Sequence, residues 1–172
     1  MFPKTIIVIN GRGGCGKDTL CDIAAKYYSV RNVSSITPIK EIAKTAGWNG
    51  EKDPKSRKML ADLKAIFTEY NDYPTNYILD QASQFMQTDE QLMFVHIREG
   101  SEIRKFVDQS KSICKTITLL VERHTDDYEN TALGNSSDDN VKSYAYDFIF
   151  ENNAESLESL EKDFIAFLNN VL

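Results

Sequence analysis

The sequence is short of the residues that staple, ligate or anchor a chain. Its three cysteines, Cys15, Cys21 and Cys114, are widely spread and form no Cys-x-x-Cys pair. That excludes a disulfide framework or a cysteine zinc site and points to reduced thiols in a cytoplasmic protein. The two histidines, His96 and His124, have no partners at metal-ligand spacing. Basic residues are outnumbered, 20 Lys and Arg against 26 Asp and Glu, for a net charge of −6 and a pI near 5.0. A wide basic face for nucleic acid is thereby excluded, although a small anion needs only a few donors in one pocket. No apolar run approaches the roughly 18 residues of a membrane span. The run at 5–9 is also too short for a signal-peptide core, and it leads into glycines rather than a cleavage site.

What is present fits a soluble globular chain. Hydrophobic residues make up 41% and charged residues 27%, too apolar for disorder, and 172 residues suit about one domain. The β-branched run Thr5–Asn10 (TIIVIN) predicts a strand buried on both faces, as in a parallel sheet. Leu20, Ile23, Ala24 and Tyr27 recur at helical spacing and predict a helix from 17 to about 29. A short strand is expected at 33–36. Thr37-Pro38 and Asp53-Pro54 are helix starts, and Gly47 closes the first of these helices. Met59, Leu60, Leu63, Ile66, Phe67 and Tyr70 lie on one face of the second. A further helix follows over about 74–87. Strands are expected at 92–97, 116–121 and 144–150. Ser101 starts a helix carrying Ile103, Phe106 and Val107, and the stripe from Leu157 to Val171 marks the last helix. This alternation predicts a three-layer α/β/α fold with a five-stranded parallel sheet. The polar stretch 122–143, rich in Asp, Asn, Ser and Thr, is long for a loop in a compact domain and is a candidate lid.

Glycine is scarce, at 8 residues, yet four of them fall in Gly11-Arg12-Gly13-Gly14-Cys15-Gly16-Lys17-Asp18-Thr19. A glycine loop between a strand and a helix lets successive N–H groups turn inward toward a phosphate, and the helix N-terminus adds positive potential. Lys17 supplies a full charge that can bridge the terminal phosphates of a nucleotide. The pattern G-x-x-x-x-G-K-[ST] breaks at its last place, where Asp18 stands and Thr19 follows. In the standard motif a hydroxyl there reaches Mg²⁺, so Asp18 and Thr19 are the candidate metal residues. Gly11, Gly13, Gly14, Cys15, Gly16, Lys17, Asp18 and Thr19 are the candidate nucleotide cradle. Cys15, at the head of a helix, is expected to be a reactive thiol.

The Gly-Lys-Asp-Thr loop resembles that of the P-loop nucleoside monophosphate kinase group, and most of all the phage-type deoxynucleoside monophosphate kinases. Animal phosphomevalonate kinases have a similar Lys-Asp pair. The resemblance extends to Ser35-Ile36-Thr37-Pro38-Ile39-Lys40-Glu41-Ile42-Ala43, to Trp48-Asn49-Gly50 with Lys52-Asp53 and Arg57-Lys58-Met59-Leu60, to His96-Ile97-Arg98-Glu99, and to the segment from Tyr146 to Asn153. It implies ATP as donor, Mg²⁺, and a small acceptor that already carries a phosphate, a nucleoside monophosphate in the first instance. It places a substrate-side helical region at about 38–88. It also implies that Arg98 holds the acceptor phosphate, with Lys40 and Arg57 on the same side. Arg123 would close as a lid arginine, and Asn152 or Asn153 would hold the adenine edge.

Arg98 also earns its place independently, because the carboxyl ends of strands line the ligand crevice of an open parallel sheet and a guanidinium fork suits phosphate. Trp48 could stack on a base or pack at the core edge. No Asp ends the third strand; Glu99 is the nearest acid, so Asp18 and Glu99 share the metal or water does the work. The expected activity is thus transfer of a phosphoryl group from ATP, with Lys17, Arg98 and Arg123 as its catalytic residues. A non-nucleotide phosphate acceptor, or a nucleotide-binding module without turnover, are the alternatives. A GTPase switch is disfavoured because no N-K-x-D motif is present.

Overall fold

β1 (Thr5–Asn10) is the axis of the molecule, every residue of it buried. The structure is a computed structural model and describes residues 3–124 and 140–172. After β1 come α1 (Lys17–Ala25), β2 (Val30–Ser34), α2 (Thr37–Thr45), α3 (Pro54–Asn71), α4 (Tyr73–Phe85), β3 (Leu92–His96), α5 (Gly100–Ser110) and β4 (Lys115–Glu122). A 3₁₀ turn at Val141–Ser143, β5 (Phe148–Glu151) and α6 (Leu157–Val171) complete the described chain. The strands pair in the order β2-β3-β1-β4-β5, all parallel. This is the expected three-layer α/β/α architecture.

Alternation along β1 builds the layers, because successive side chains of a strand point to opposite faces. Ile7 and Ile9 pack under α1 and α6 with Leu20, Ile23, Phe164 and Leu168. Ile6 and Val8 pack under α4 and α5 with Ile78, Phe85, Ile103 and Phe106. The carboxyl ends of β1, β3 and β4 therefore finish at one edge between two covered faces, and they deliver Asn10, His96 and Glu122 to it.

Two strands depart from expectation. β2 begins at Val30 rather than 33 and ends at Ser34. Its polar positions obscure the pattern: Arg31 is drawn to Glu90 at 2.8 Å and to the Gln81 carbonyl at 3.1 Å. β5 begins at Phe148 rather than 144. The reason is Asp147, whose carboxylate accepts from the Thr118 backbone N–H at 2.8 Å and from its hydroxyl at 2.9 Å. The carboxylate takes the place a strand carbonyl would fill, so ladder pairing starts one residue later, at Leu119 with Phe148. Helix starts follow the sequence more closely. Asp53 caps α3, its Oδ1 accepting from Ser56 N at 2.8 Å, with Pro54 in the first turn.

Of the candidate lid, residues 125–139 lie outside the described residues. Among the described residues, no helix is long and apolar enough to cross a membrane.

Phe164 is fully buried and sits edge-on to Phe150 at 5.2 Å. Phe164→Ala should lower unfolding free energy by about 3–5 kcal/mol through the cavity it leaves. Urea unfolding checks this: the midpoint falls while the slope against denaturant stays the same.

Candidate active site

The loop after β1 is bent by residues without side chains. Gly14 has φ of 77° and Gly16 has φ of 96°, conformations that cost other residues energy. Space adds to the demand. A Cβ on Gly11 would lie 2.5 Å from the Val121 carbonyl oxygen and 2.6 Å from Cys15 Sγ, and one on Gly16 would strike the Asn152 amide. α1 starts at Lys17 with Gly16 as its N-cap and no side-chain cap, leaving the helix N-terminus to be met from outside the helix.

Lys17 folds over this bend, its ammonium donating to the Gly11 carbonyl at 2.6 Å and the Arg12 carbonyl at 3.1 Å. Cys15 Sγ is 3.5 Å from the same nitrogen. An ammonium, a helix N-terminus and a glycine-formed concavity together suit an anionic phosphate, so the residues present fit the tail of a nucleotide. Asp18 and Thr19 lie exposed on the first turn of α1. Among the described residues, no three His, Cys, Asp or Glu side chains gather as a metal site. A cation here would rely on Asp18, Thr19, phosphate oxygens and water. Cys15 itself is 1% exposed; burial removes the access that the expected reactive thiol needs.

Two asparagine amides hold the loop. Asn10 accepts from Gly11 N at 2.9 Å and donates to the Arg98 carbonyl at 3.0 Å and to the Tyr146 hydroxyl at 2.8 Å. Asn152 donates to the Cys15 carbonyl at 2.8 Å, and its own N–H donates to Glu122 O at 2.7 Å. The Asn152 amide nitrogen thus lies on the loop, at the end of β5 where the resemblance sets Asn152 or Asn153 at an adenine edge. Asn152 is buried under the loop. Asn153 is turned outward and accepts from His124 N at 2.9 Å.

Arg98 stands exposed just beyond β3 on the same edge. Glu99 is not turned to the loop, however. Its carboxylate takes Lys64 at 2.6 Å, and Glu102 takes the same ammonium at 2.8 Å. Lys64 is 8% exposed and reaches in from α3. Burial pushes the Glu99 carboxyl up, but Lys64 outweighs it and holds the group below its ordinary value. Burial and the Glu99 charge leave Glu102 raised despite the same lysine. The idea that Glu99 shares a metal with Asp18 loses its support, because the carboxylate is already engaged.

At the end of β3, His96 Nε2 meets Asn32 Oδ1 at 2.7 Å. Burial lowers its pKa, against the pull of Asp18, so the ring is neutral at neutral pH. Nearby Cys21 is pushed up to about 12 by burial and then by Asp18 and Asp22, which makes it an inert thiol. Arg123 lies exposed just after β4. Lys40 is half-buried on α2 and Arg57 exposed in the first turn of α3. Trp48 is half-buried, its indole N–H on the Glu51 carbonyl at 3.1 Å.

Sequence reasoning missed Asn10, Lys64 and Tyr146. Asn10 left a trace, as the one amide ending a β-branched strand. Lys64 left a weaker one, a lysine beside Leu60, Leu63 and Phe67 on the apolar side of its helix. Tyr146 left none.

No protein-family model matches the sequence, and no curated protein matches it. Solved structures do match in three dimensions. A sugar kinase from a Janibacter species aligns over 98% of this chain and 95% of its own at a TM-score of 0.54 and 10% identity. Thymidylate kinase from Candida albicans aligns over 98% and 92% at 0.51 and 12% identity. Shikimate kinase from Bacteroides thetaiotaomicron aligns over 99% of both chains at 0.50 and 15% identity. The fold is that of the P-loop kinases.

Replacing Lys64 with Met should leave the buried Glu102 and the half-exposed Glu99 without their cation and cost about 3 kcal/mol at neutral pH. The sign of its pH dependence follows from Glu99. A depressed carboxyl stabilises above its unfolded value and loses that contribution as pH falls through its folded value. Without Lys64 both carboxyls rise, so the deficit of Lys64→Met should shrink as pH drops to about 4. Urea midpoints of both proteins at the two pH values test this.

Proposed function

We propose that the protein is an ATP-dependent phosphotransferase acting on a small acceptor that already carries a phosphate, a (deoxy)nucleoside monophosphate above all. The observation that carries this reading is the glycine loop itself: left-handed glycines, an N-terminus of α1 without a side-chain cap and the Lys17 ammonium converging at the carboxyl edge of a parallel sheet. The likeness to kinases of sugar, thymidylate and shikimate supports the fold in which such chemistry is found. The Gly-Lys-Asp-Thr resemblance supports the nucleotide acceptor.

Phosphoryl transfer asks a protein mainly for position and positive charge. The loop from Gly11 to Gly16 cradles the donor phosphates, with the Gly11 N–H kept on Asn10. Lys17 swings from its carbonyl partners to the phosphate tail, an exchange of one set of acceptors for a stronger, charged one. Asp18 and Thr19 would hold Mg²⁺, which when bound offsets phosphate charge. Arg98 offers its planar fork to the acceptor phosphate from the end of β3, and α2 to α4, with Lys40 and Arg57, form the acceptor side. Arg123 enters from the end of β4 as the flank of the lid, excluding water that would otherwise compete with the acceptor. Free thiols at Cys15, Cys21 and Cys114 suit a reducing, cytoplasmic setting.

Coupled measurement of ADP release with each deoxynucleoside monophosphate is the direct test. Acceptor-stimulated release is expected. ATP binding without any such stimulation would sink the transfer reading and leave a binding module. Lys17→Ala should lower turnover at least about a hundredfold, the scale of losing one preorganised charge on the transferring group, with an unchanged thermal transition. Near-normal turnover in that variant would refute the role.

A further inference from the structure

Asn10 sits where three parts of the site meet, 1% exposed. Its carbonyl oxygen faces Gly11 N at the mouth of the phosphate loop, and its amide nitrogen faces both the Arg98 carbonyl and the Tyr146 hydroxyl. The arrangement admits one orientation only. The Gly11 amide can only donate and the Arg98 carbonyl can only accept, so a reversed side chain would set like against like at both. Tyr146 removes the remaining freedom. Its single proton goes to the Val141 carbonyl at 2.9 Å, so it must accept from Asn10.

The two remote ends of this node are themselves in contact. Gly100, two residues past Arg98, lies so close to the chain returning toward β5 that a Cβ there would be 3.0 Å from Ser143 Oγ and 3.4 Å from Tyr144 Cβ. The Tyr144 and Tyr146 rings pack edge-on at 5.1 Å. One buried amide thus joins the phosphate loop, the corner that presents Arg98 and the segment 141–146. A low-dielectric, fully satisfied network of this kind holds its members in a single relative position.

We propose that Asn10 and Tyr146 are positioning residues that make the Arg98 corner respond to occupancy of the phosphate loop, so that the acceptor side is set when the donor is in place. The inference rests on the donor reading of the loop given above. When phosphates draw on the amides beyond Gly11, the bend is held, Gly11 N is held with it on Asn10, and the Arg98 carbonyl and Tyr146 hydroxyl are held in turn.

Hydrogen exchange on the full chain, with and without Mg²⁺ and the ATP analogue AMP-PNP, tests this without needing an acceptor. In the wild-type protein AMP-PNP should slow exchange about tenfold at residues 11–20, and also at 96–103 and 140–147. In Tyr146→Phe, which keeps the ring, residues 11–20 should retain their slowing while 140–147 and 96–103 lose theirs. Asn10→Asp keeps an acceptor for Gly11 N but offers no donor to either the Arg98 carbonyl or the Tyr146 hydroxyl, so its loss should appear at both 96–103 and 140–147. The readout is the ligand-dependent difference. A hydroxyl that merely stabilises would speed exchange equally in both states and leave that difference intact. Tyr146→Phe retaining the remote slowing, or wild-type protein slowed at 11–20 alone, overturns the inference while leaving the donor site standing. Failure of AMP-PNP to bind the wild-type protein overturns both. Failure of every nucleoside monophosphate in the ADP assay removes only the acceptor assignment.

Discussion

The backbone between Asn10 and Lys17 has to leave a strand buried on both faces and begin a helix within a few residues. Sterics decide which residues can make that turn. At Gly11 a side chain would run into the Val121 carbonyl and the Cys15 sulfur, and at Gly16 the left-handed conformation and the Asn152 amide both demand a bare Cα. Everything polar at the site is arranged around the curve so produced. The N-terminus of α1 is aimed at the concave side, Lys17 is brought back over it, and two buried asparagines grip the curve from beneath, Asn10 at its first residue and Asn152 at Cys15. A loop of ordinary residues could not be pressed this close to β4, and the charge of Lys17 would then have no concavity to serve.

The opposite side of the site is organised by a cation that never meets solvent freely. Lys64 reaches from α3 to Glu99 and Glu102 at the head of α5. Two carboxylates at the head of a helix are favourably placed in its field, yet packed together they repel, and the raised Glu102 reflects that conflict. The lysine resolves it and thereby ties the helices expected to hold an acceptor to the corner that presents Arg98. The geometry of this side is thus a matter of ion pairing around one buried ammonium, with Arg98 itself outside.

Much of the architecture was legible because local signals agreed with one another. The TIIVIN run, the Asp53-Pro54 start and the Leu20, Ile23, Ala24 spacing each pointed to the element that forms. The glycine loop was legible because its residue types are required by backbone geometry rather than by neighbours distant in sequence. What escaped depended on tertiary placement. Asp147 reads as an ordinary strand residue until its carboxylate is seen on Thr118, which shortens β5. Nothing near Asn152 in the sequence announces that its amide lies under Cys15. Glu99 reads as a spare acid until Lys64 arrives from α3, 35 residues away along the chain. No pattern within a window of a dozen residues carries such pairings.

Asp147 has one more effect, on how the molecule meets other molecules. β5 is the last strand of the sheet and only four residues long, and Ile149 at its centre is 58% exposed. A longer, flatter border of this kind would be a template for strand addition by a neighbouring or partly folded chain. With Asp147 turned onto β4 at its start, the border offers an intruder few consecutive hydrogen bonds before Glu151 closes its end. The carboxylate that curtails the sheet thereby also shortens the border on which another strand could be laid.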